Sequence, residues 1–249
     1  MEQPWKNSIE YYDLQSHTIY NNPNSGFYHR GYIGNSDIEF SNYIIKEAGI
    51  KKGDNVVDLG CGSGYLTNQI SNICKVEGIT NSPKNLEYCV SKYPQNNFTL
   101  SDMENYKGKN KTHCLALESF NYTNYKTTFK NVYKVLKLGG IFFLKEWNGL
   151  EKESKKAKES RLYWEKFWCY KAPKTSKIIK LAEECGFKLI HNKNLDKIFN
   201  KINYHNTWDY HDPYIYNYNP PHPKTPWPCN IYCFNFNSYL KIVKYLDKI

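Results

Sequence analysis

Apolar residues recur through the middle of this chain in two alternating rhythms. Short, β-branched, nearly continuous runs at Asn55–Gly60, Lys75–Thr80, Phe98–Asp102, Thr112–Leu117 and Ile141–Leu144 read as strands buried on both faces. Between them the spacing changes to that of helices. Ser63 to Ile73 carries Leu66 and Ile70 four apart on one face. Ser82 is placed to cap a helix that starts with Pro83, turns Leu86 and Val90 inward and ends before Pro94. Phe129 to Lys137 shows the stripe Phe129, Val132, Tyr133 and Leu136, and Gly139-Gly140 is expected to stop it.

Further along, Glu151 to Arg161 predicts a charged helix that turns aromatic from Leu162 to Tyr170. Thr175 to Cys185 predicts another helix, closed by Gly186, before a strand from Phe187 to Ile190. Ile231 to Phe236 alternates like a strand, and Tyr239 to Leu246 reads as a terminal helix. Asn200 to Asn230, rich in Asn, His, Tyr and Pro, reads as an irregular excursion. Strands alternating with helices predict the α/β class: a Rossmann-like, seven-stranded, mostly parallel sheet with helices on both faces. Residues 1–45 do not look like sheet and are expected to form an N-terminal helical lid over its open end. Residues 46–249 would be the main domain, with substrate-side insertions over 150–230.

Composition narrows the setting. Hydrophobic residues make up 40% of 249, enough for a core, so the chain is not of a disordered composition. The net charge of +10 allows nucleic acid, anionic lipid or a phosphorylated metabolite as a partner, although lysine clusters such as Lys152, Lys155, Lys156 and Lys158 also serve as a solvated face. No secretory leader follows Met1, and no run is long and apolar enough to span a membrane; peripheral membrane contact stays open. The eight cysteines are scattered with no Cys-x-x-Cys, which predicts free thiols in a reducing, cytoplasmic compartment and no zinc site. His205 and His211 have no partnering ligands at metal spacing, so no metal site is expected.

The chemistry gathers at the ends of the strands. Val56-Val57-Asp58-Leu59-Gly60-Cys61-Gly62-Ser63-Gly64 is a strand running into a glycine-rich turn that opens a helix. It lacks the G-x-G-x-x-G spacing of a dinucleotide turn and the Gly-Lys-Ser/Thr of a P-loop. In open α/β sheets ligands bind outside the carboxyl ends of the strands. The following strands deliver Thr80 and Asn81, Asp102 and Met103, Leu117-Glu118-Ser119, and Glu146-Trp147 to that edge. Glu118 also has a plainer reading as a helix cap, and Asp102 as a turn cap.

The run Asp58 to Gly64 resembles the first motif of the class I methyltransferases that use S-adenosylmethionine. Glu77-Gly78-Ile79-Thr80-Asn81-Ser82-Pro83 resembles the Gly-Ile-Thr-x-Ser-Pro segment of the sterol, tocopherol and related small-molecule methyltransferases. Leu117-Glu118-Ser119 is similar to that group's motif after strand four, and Tyr28-His29-Arg30-Gly31-Tyr32 and Tyr12-Asp13 to its N-terminal motifs. Val135 to Gly140 resembles its Val-Leu-Lys-Pro-Gly-Gly turn, with Leu138 in place of proline. The resemblance covers residues 10 to 190, and Thr80 stands where many class I enzymes carry a ribose-binding carboxylate.

The resemblance implies S-adenosylmethionine as cofactor, with Gly60, Cys61 and Gly62 on its methionine part, Asp58 supporting the turn, and Gly64 and Leu117 also among the cofactor-binding residues. Thr80 and Asn81 would face the ribose, Asp102 and Met103 the adenine, while Tyr12 and Tyr32 would close over the cofactor. Glu118 and His29 would sit where substrate and methyl group meet, as the candidate acid–base groups; the plainer reading of His29 is a lid residue holding backbone. The acceptor would be a small molecule: lipid-like, prenyl or sterol, an amine or a sugar. The alternatives are a nucleic-acid (RNA or cap) methyltransferase, and a catalytically inactive binding protein. Against the first, strand four does not end in Asn/Asp-Pro-Pro-aromatic. The acceptor atom and the oligomeric state are not fixed by the sequence.

Overall fold

The computed structural model describes residues 6–13, 36–194 and 234–244. Residues 8–13 are helical. The main elements then follow as α1 (Asp37–Ala48), β1 (Asn55–Leu59), α2 (Tyr65–Ser71), β2 (Lys75–Thr80), α3 (Pro83–Lys92), β3 (Asn97–Leu100) and β4 (Lys111–Leu117). A 3₁₀ turn (Phe120–Tyr122) leads to α4 (Tyr125–Val135), β5 (Leu136–Gly149), α5 (Lys155–Phe167), α6 (Thr175–Glu184), β6 (Phe187–Asn194) and β7 (Phe234–Lys244).

The strands form one seven-stranded sheet in the order β3-β2-β1-β4-β5-β7-β6. Strands β1 to β5 pair in parallel, and β7 runs antiparallel between β5 and β6. The chain moves outward from β1 to β3 and then returns to lay β4 on the other side of β1. That reversal opens a crevice at the carboxyl ends of β1 and β4, the switch point where such sheets take ligands.

Alternation along the buried strands divides the core in two. Val57, Leu59, Cys114, Ala116, Phe142 and Leu144 face one layer, where Phe129 and Val132 of α4 and Ile178 and Ala182 of α6 cover them. Val56, Leu115 and Phe143 face the other, against Phe40 and Ile44 of α1 and Leu66 and Ile70 of α2. The helices start where capping chemistry allows. The side chains of Ser36, Ser82, Asn124 and Ser154 each accept a backbone N–H in the first turn of the helix they precede.

Three expectations need correction. Tyr239 to Leu246 is not a helix where it is described; it belongs to β7. Ile242 packs into the α4–α6 layer, while Lys241 reaches across the other face to the Glu47 carbonyl at 3.4 Å. A strand covered on both faces needs no polar alternation, so its apolar residues read equally well at helical spacing. Gly139-Gly140 does not stop a helix either. Helix α4 runs from Asn124's cap to Val135, and the glycines lie within β5 where its register against β4 shifts, with Gly139 at φ +72°. On α3 the inward residues are Asn85 and Cys89; Val90 is 50% exposed. The excursion expected at Asn200 to Asn230, and residues 14–35 of the expected lid, lie outside the described residues.

Gly64 shows how closely the start of α2 approaches α3 and β3. A Cβ there would lie 2.9 Å from both Cys89 Sγ and the Phe98 ring, and φ is +75°. Gly64→Ala should therefore cost about 1–3 kcal/mol through crowding and backbone strain, read as a lowered urea midpoint.

Candidate active site

The glycine turn is held in place before any ligand arrives. Gly60 N and Cys61 N donate to the Ile79 carbonyl at 2.9 and 2.8 Å, tying the end of β1 to β2. Ser119 Oγ donates to the Leu59 carbonyl at 2.7 Å and ties it to the turn after β4. A Cβ on Gly60 would lie 2.5 Å from the Ser119 Cβ and 2.9 Å from the Met103 methyl, so this close approach demands glycine. Gly60, Gly62 and Gly64 all have positive φ.

A cleft of about 970 Å³, part of it open solvent, lies over this turn. It is lined by Gly60, Cys61 and Gly62 from β1's turn, Thr80 and Asn81 from β2, Asp102 and Met103 after β3, and Leu117 and Glu118 from β4. Tyr12 of the N-terminal helical residues completes the wall. Ten of the residues singled out from sequence thus meet in one cavity. Asp58 and Gly64 lie outside its lining, and His29 and Tyr32 lie outside the described residues.

The N-terminal helical residues are pinned at two points. Tyr12 donates to Tyr122 at 2.9 Å, with the rings edge to face, and Asp13 accepts from Ser82, the cap of α3. Burial holds both phenols well above their ordinary range, so they stay neutral. From Tyr122 an aromatic wall continues through Tyr170 to Trp168 and Trp164, which stack at 4.5 Å.

The turn after β4 carries the charged chemistry. Glu118 adopts φ +54°, rare for a residue with a side chain, and its N–H donates to the Lys145 carbonyl at 2.7 Å. Its carboxylate pairs with the Lys145 ammonium; the two side chains are 8% and 1% exposed. One residue on, Glu146 Oε1 accepts from Ser119 N at 2.9 Å and Phe120 N at 2.6 Å. Lys145 and Tyr122 escaped the reading of the sequence. A lysine at the end of an apolar strand looks solvated, and only the register of β5 against β4 turns it under Glu118. Asp102 caps a turn through its carbonyl, which accepts from Asn105 N and Tyr106 N, and the residue also lines the cleft.

Asp58 is buried beneath the turn and accepts from Thr67 Oγ1 at 2.8 Å, joining β1 to α2. Burial pushes its carboxyl up to about 6. Because the folded value exceeds the unfolded one, folding takes up a proton between about pH 4 and 6, and stability falls as pH rises through that window. Asp58→Asn keeps an acceptor for Thr67 and should flatten this decline by about 3 kcal/mol, checked by urea titrations on either side of the window.

This sheet order, with the glycine turn and strand-end residues around one cleft, defines a class I methyltransferase fold. The profile of the mycolic acid cyclopropane synthetase family matches residues 34–211, and the chain belongs to that family. It is 29% identical over 150 residues, 55% of its length, to sterol 24-C-methyltransferase ERG6 of Saccharomyces cerevisiae. It is 27% identical over 137 residues, 49% of its length, to the sterol 24-C-methyltransferase of Eremothecium gossypii. These alignments span 39% and 36% of the two relatives, so the chain corresponds to less than half of their length.

Among solved structures, phosphoethanolamine N-methyltransferase 2 of Haemonchus contortus, in complex with S-adenosyl-L-methionine, superposes with a TM-score of 0.69. It is 15% identical, over 98% of this chain and 61% of that one. The [4+2]-cyclase SpnF gives 0.70 at 13% identity over 97% of both chains. At these identities the likeness is one of fold. The resemblance to the sterol and small-molecule methyltransferases is borne out by the family match and the sterol enzymes. No helix among the described residues is long and apolar enough to cross a membrane, and Cys61, Cys74, Cys89, Cys114, Cys169 and Cys185 are free thiols.

Proposed function

We propose that this chain transfers a methyl group from S-adenosylmethionine to a small-molecule acceptor, with a lipid-like prenyl or sterol species as the first candidate and an amine or sugar next. One observation carries the reading: glycine turn, strand-end polar groups and a buried carboxylate converge in a single cleft at the switch point. The cleft suits the cofactor. Gly60 to Gly62 present bare backbone to a methionine moiety, Thr80 and Asn81 stand where a ribose would lie, and Asp102 and Met103 offer an acceptor and an apolar surface to an adenine.

The cofactor supplies an activated methyl on a sulfonium, so the protein's work is chiefly alignment. Tyr12 and Tyr122, neutral and hydrogen-bonded, form a wall that excludes water from the reacting end. If the acceptor is carbon, positive charge develops and a proton must leave; Glu118 is placed to stabilise the one and take the other. In this reading the lid is the part of residues 1–45 that precedes α1, with Tyr32 and His29 in it, because α1 itself packs Phe40 and Ile44 into the core. The sterol enzymes among the relatives, and the geranyl diphosphate methyltransferase that superposes with a TM-score of 0.62, support a lipid-like acceptor.

Isothermal calorimetry tests the cofactor. S-adenosylmethionine and S-adenosylhomocysteine should bind, and NAD and ATP should not compete. A dinucleotide that bound as tightly would overturn the proposal.

A further inference from the structure

The buried group that the cleft itself does not account for is Glu146, at the end of β5. Its side chain is almost completely enclosed, the residue being 3% exposed. Oε1 is fully used by the N–H groups of Ser119 and Phe120. Oε2 is buried without a hydrogen-bond partner among the described residues. The titratable groups that act on it among the described residues are Tyr12 of the N-terminal helical residues, Glu118 after β4, Tyr122 of the 3₁₀ turn, Tyr125 of α4 and Lys145 on its own strand.

Among the described residues this pocket holds two carboxyls and one ammonium. Lys145 is committed to Glu118. A second full negative charge in the same enclosure would have no countercharge of its own among the described residues, and an unpaired buried charge is far costlier than a proton. We propose that Glu146 is a positioning residue for the transfer: as a neutral carboxylic acid, its Oε1 clamps the left-handed turn that aims Glu118 into the cleft, and its Oε2 carries the proton that leaves Glu118 and Lys145 balanced.

The clamp has a definite task. Glu118 at φ +54° is a conformation that must be held by its surroundings. The two N–H groups that follow it would otherwise be buried orphans at the start of the 3₁₀ turn. Phe120 is seated at the same point between Phe129 and Phe142, so the turn is fixed on its apolar side as well. Burial drives the Glu146 carboxyl well above the ordinary range; the N–H bonds from Phe120 and Ser119 and the charge of Lys145 oppose this, and Glu118 reinforces it. Glutamine is nearly isosteric with the protonated acid and cannot lose a proton. It therefore distinguishes a neutral clamp from an ionised carboxylate.

The inference rests on the methyltransferase reading for its catalytic consequence, and its first two tests need neither cofactor nor acceptor. The infrared difference between the full wild-type chain and Glu146→Gln near neutral pH should contain the carbonyl band of a protonated carboxyl. Amide exchange at Ser119 and Phe120 should accelerate by about tenfold or more in Glu146→Ala and stay near wild type in Glu146→Gln. Absence of the band, or unchanged exchange in the alanine variant, overturns the proposal.

With S-adenosylmethionine and an acceptor that turns over, Glu146→Ala should lower single-turnover rate by about 100-fold at unchanged cofactor affinity. Glu146→Gln should recover most of that rate and lose the alkaline limb of the pH profile that ionisation of the acid produces. A glutamine variant that folds but is no faster than the alanine variant contradicts the inference. Failure of the wild type to bind S-adenosylmethionine, with band and exchange as expected, would instead count against the methyltransferase reading.

Discussion

Glu118→Gln should slow transfer by about 100-fold or more and also destabilise the fold, and the double variant Glu118→Gln with Lys145→Met separates the two effects. Glu118 is the sole carboxylate of the cleft lining that is paired with a buried ammonium among the described residues. Removing its charge alone strands Lys145, 1% exposed, and breaking such a pair costs about 3–5 kcal/mol. Replacing both members by neutral side chains of similar volume removes that penalty, and stability should return close to wild type.

Turnover should not return with it. A carboxylate needed only when charge develops or a proton leaves is missed in the transition state, so the rate constant should drop by about 100-fold or more at little change in cofactor affinity. The check is a thermal midpoint together with a single-turnover rate for each variant. A double variant that folds and keeps its rate would remove Glu118 from the chemistry and leave it as a structural partner of Lys145.

Gly62→Val should eliminate measurable binding of S-adenosylmethionine. Gly62 lines the cleft and sits at φ +55°, a region that β-branched residues avoid. On the proposed reading a valine there would place two methyl groups against the cofactor's methionine part, and it would strain the turn as well. Affinity should fall by at least about 100-fold, read by calorimetry, and Gly62→Ala should fall between the two. The neighbouring Gly64→Ala offers the control: it crowds Cys89 and Phe98 behind the turn, outside the cleft lining, and should affect stability more than affinity.

What the sequence disclosed and what it withheld follow from how local each signal is. The β1 turn was legible because Asp58 to Gly64 states its own geometry: apolar strand, then glycines at positions that need positive φ. Helix α3 was legible from Ser82 and Pro83, a cap and a first-turn proline side by side. Strand ends β1 to β4 could be aligned because parallel strands joined by helices must end on the same edge, so Thr80, Asp102 and Glu118 were brought together correctly.

The failures are non-local. Strand β7 is inserted between β5 and β6, and nothing within Tyr239 to Lys244 announces that both its edges will be paired. The Glu118–Lys145 pair depends on the register Leu117↔Lys145 across two strands. Tyr122 reached the cleft only because Glu146 and Phe120 fold its 3₁₀ turn back toward Tyr12. Such pairings live in the tertiary structure, and composition and periodicity are blind to them.

The most direct test of the central claim is to follow the methyl group itself. The full chain is incubated with methyl-labelled S-adenosylmethionine and a cell extract separated into metabolite, lipid and nucleic-acid fractions, beside the double variant of Glu118 and Lys145. The account predicts label in a small molecule, heavier by one methylene, formed by the wild-type chain and lost in the double variant. Label confined to RNA or DNA, or no transfer by a protein saturated with the cofactor, would contradict it.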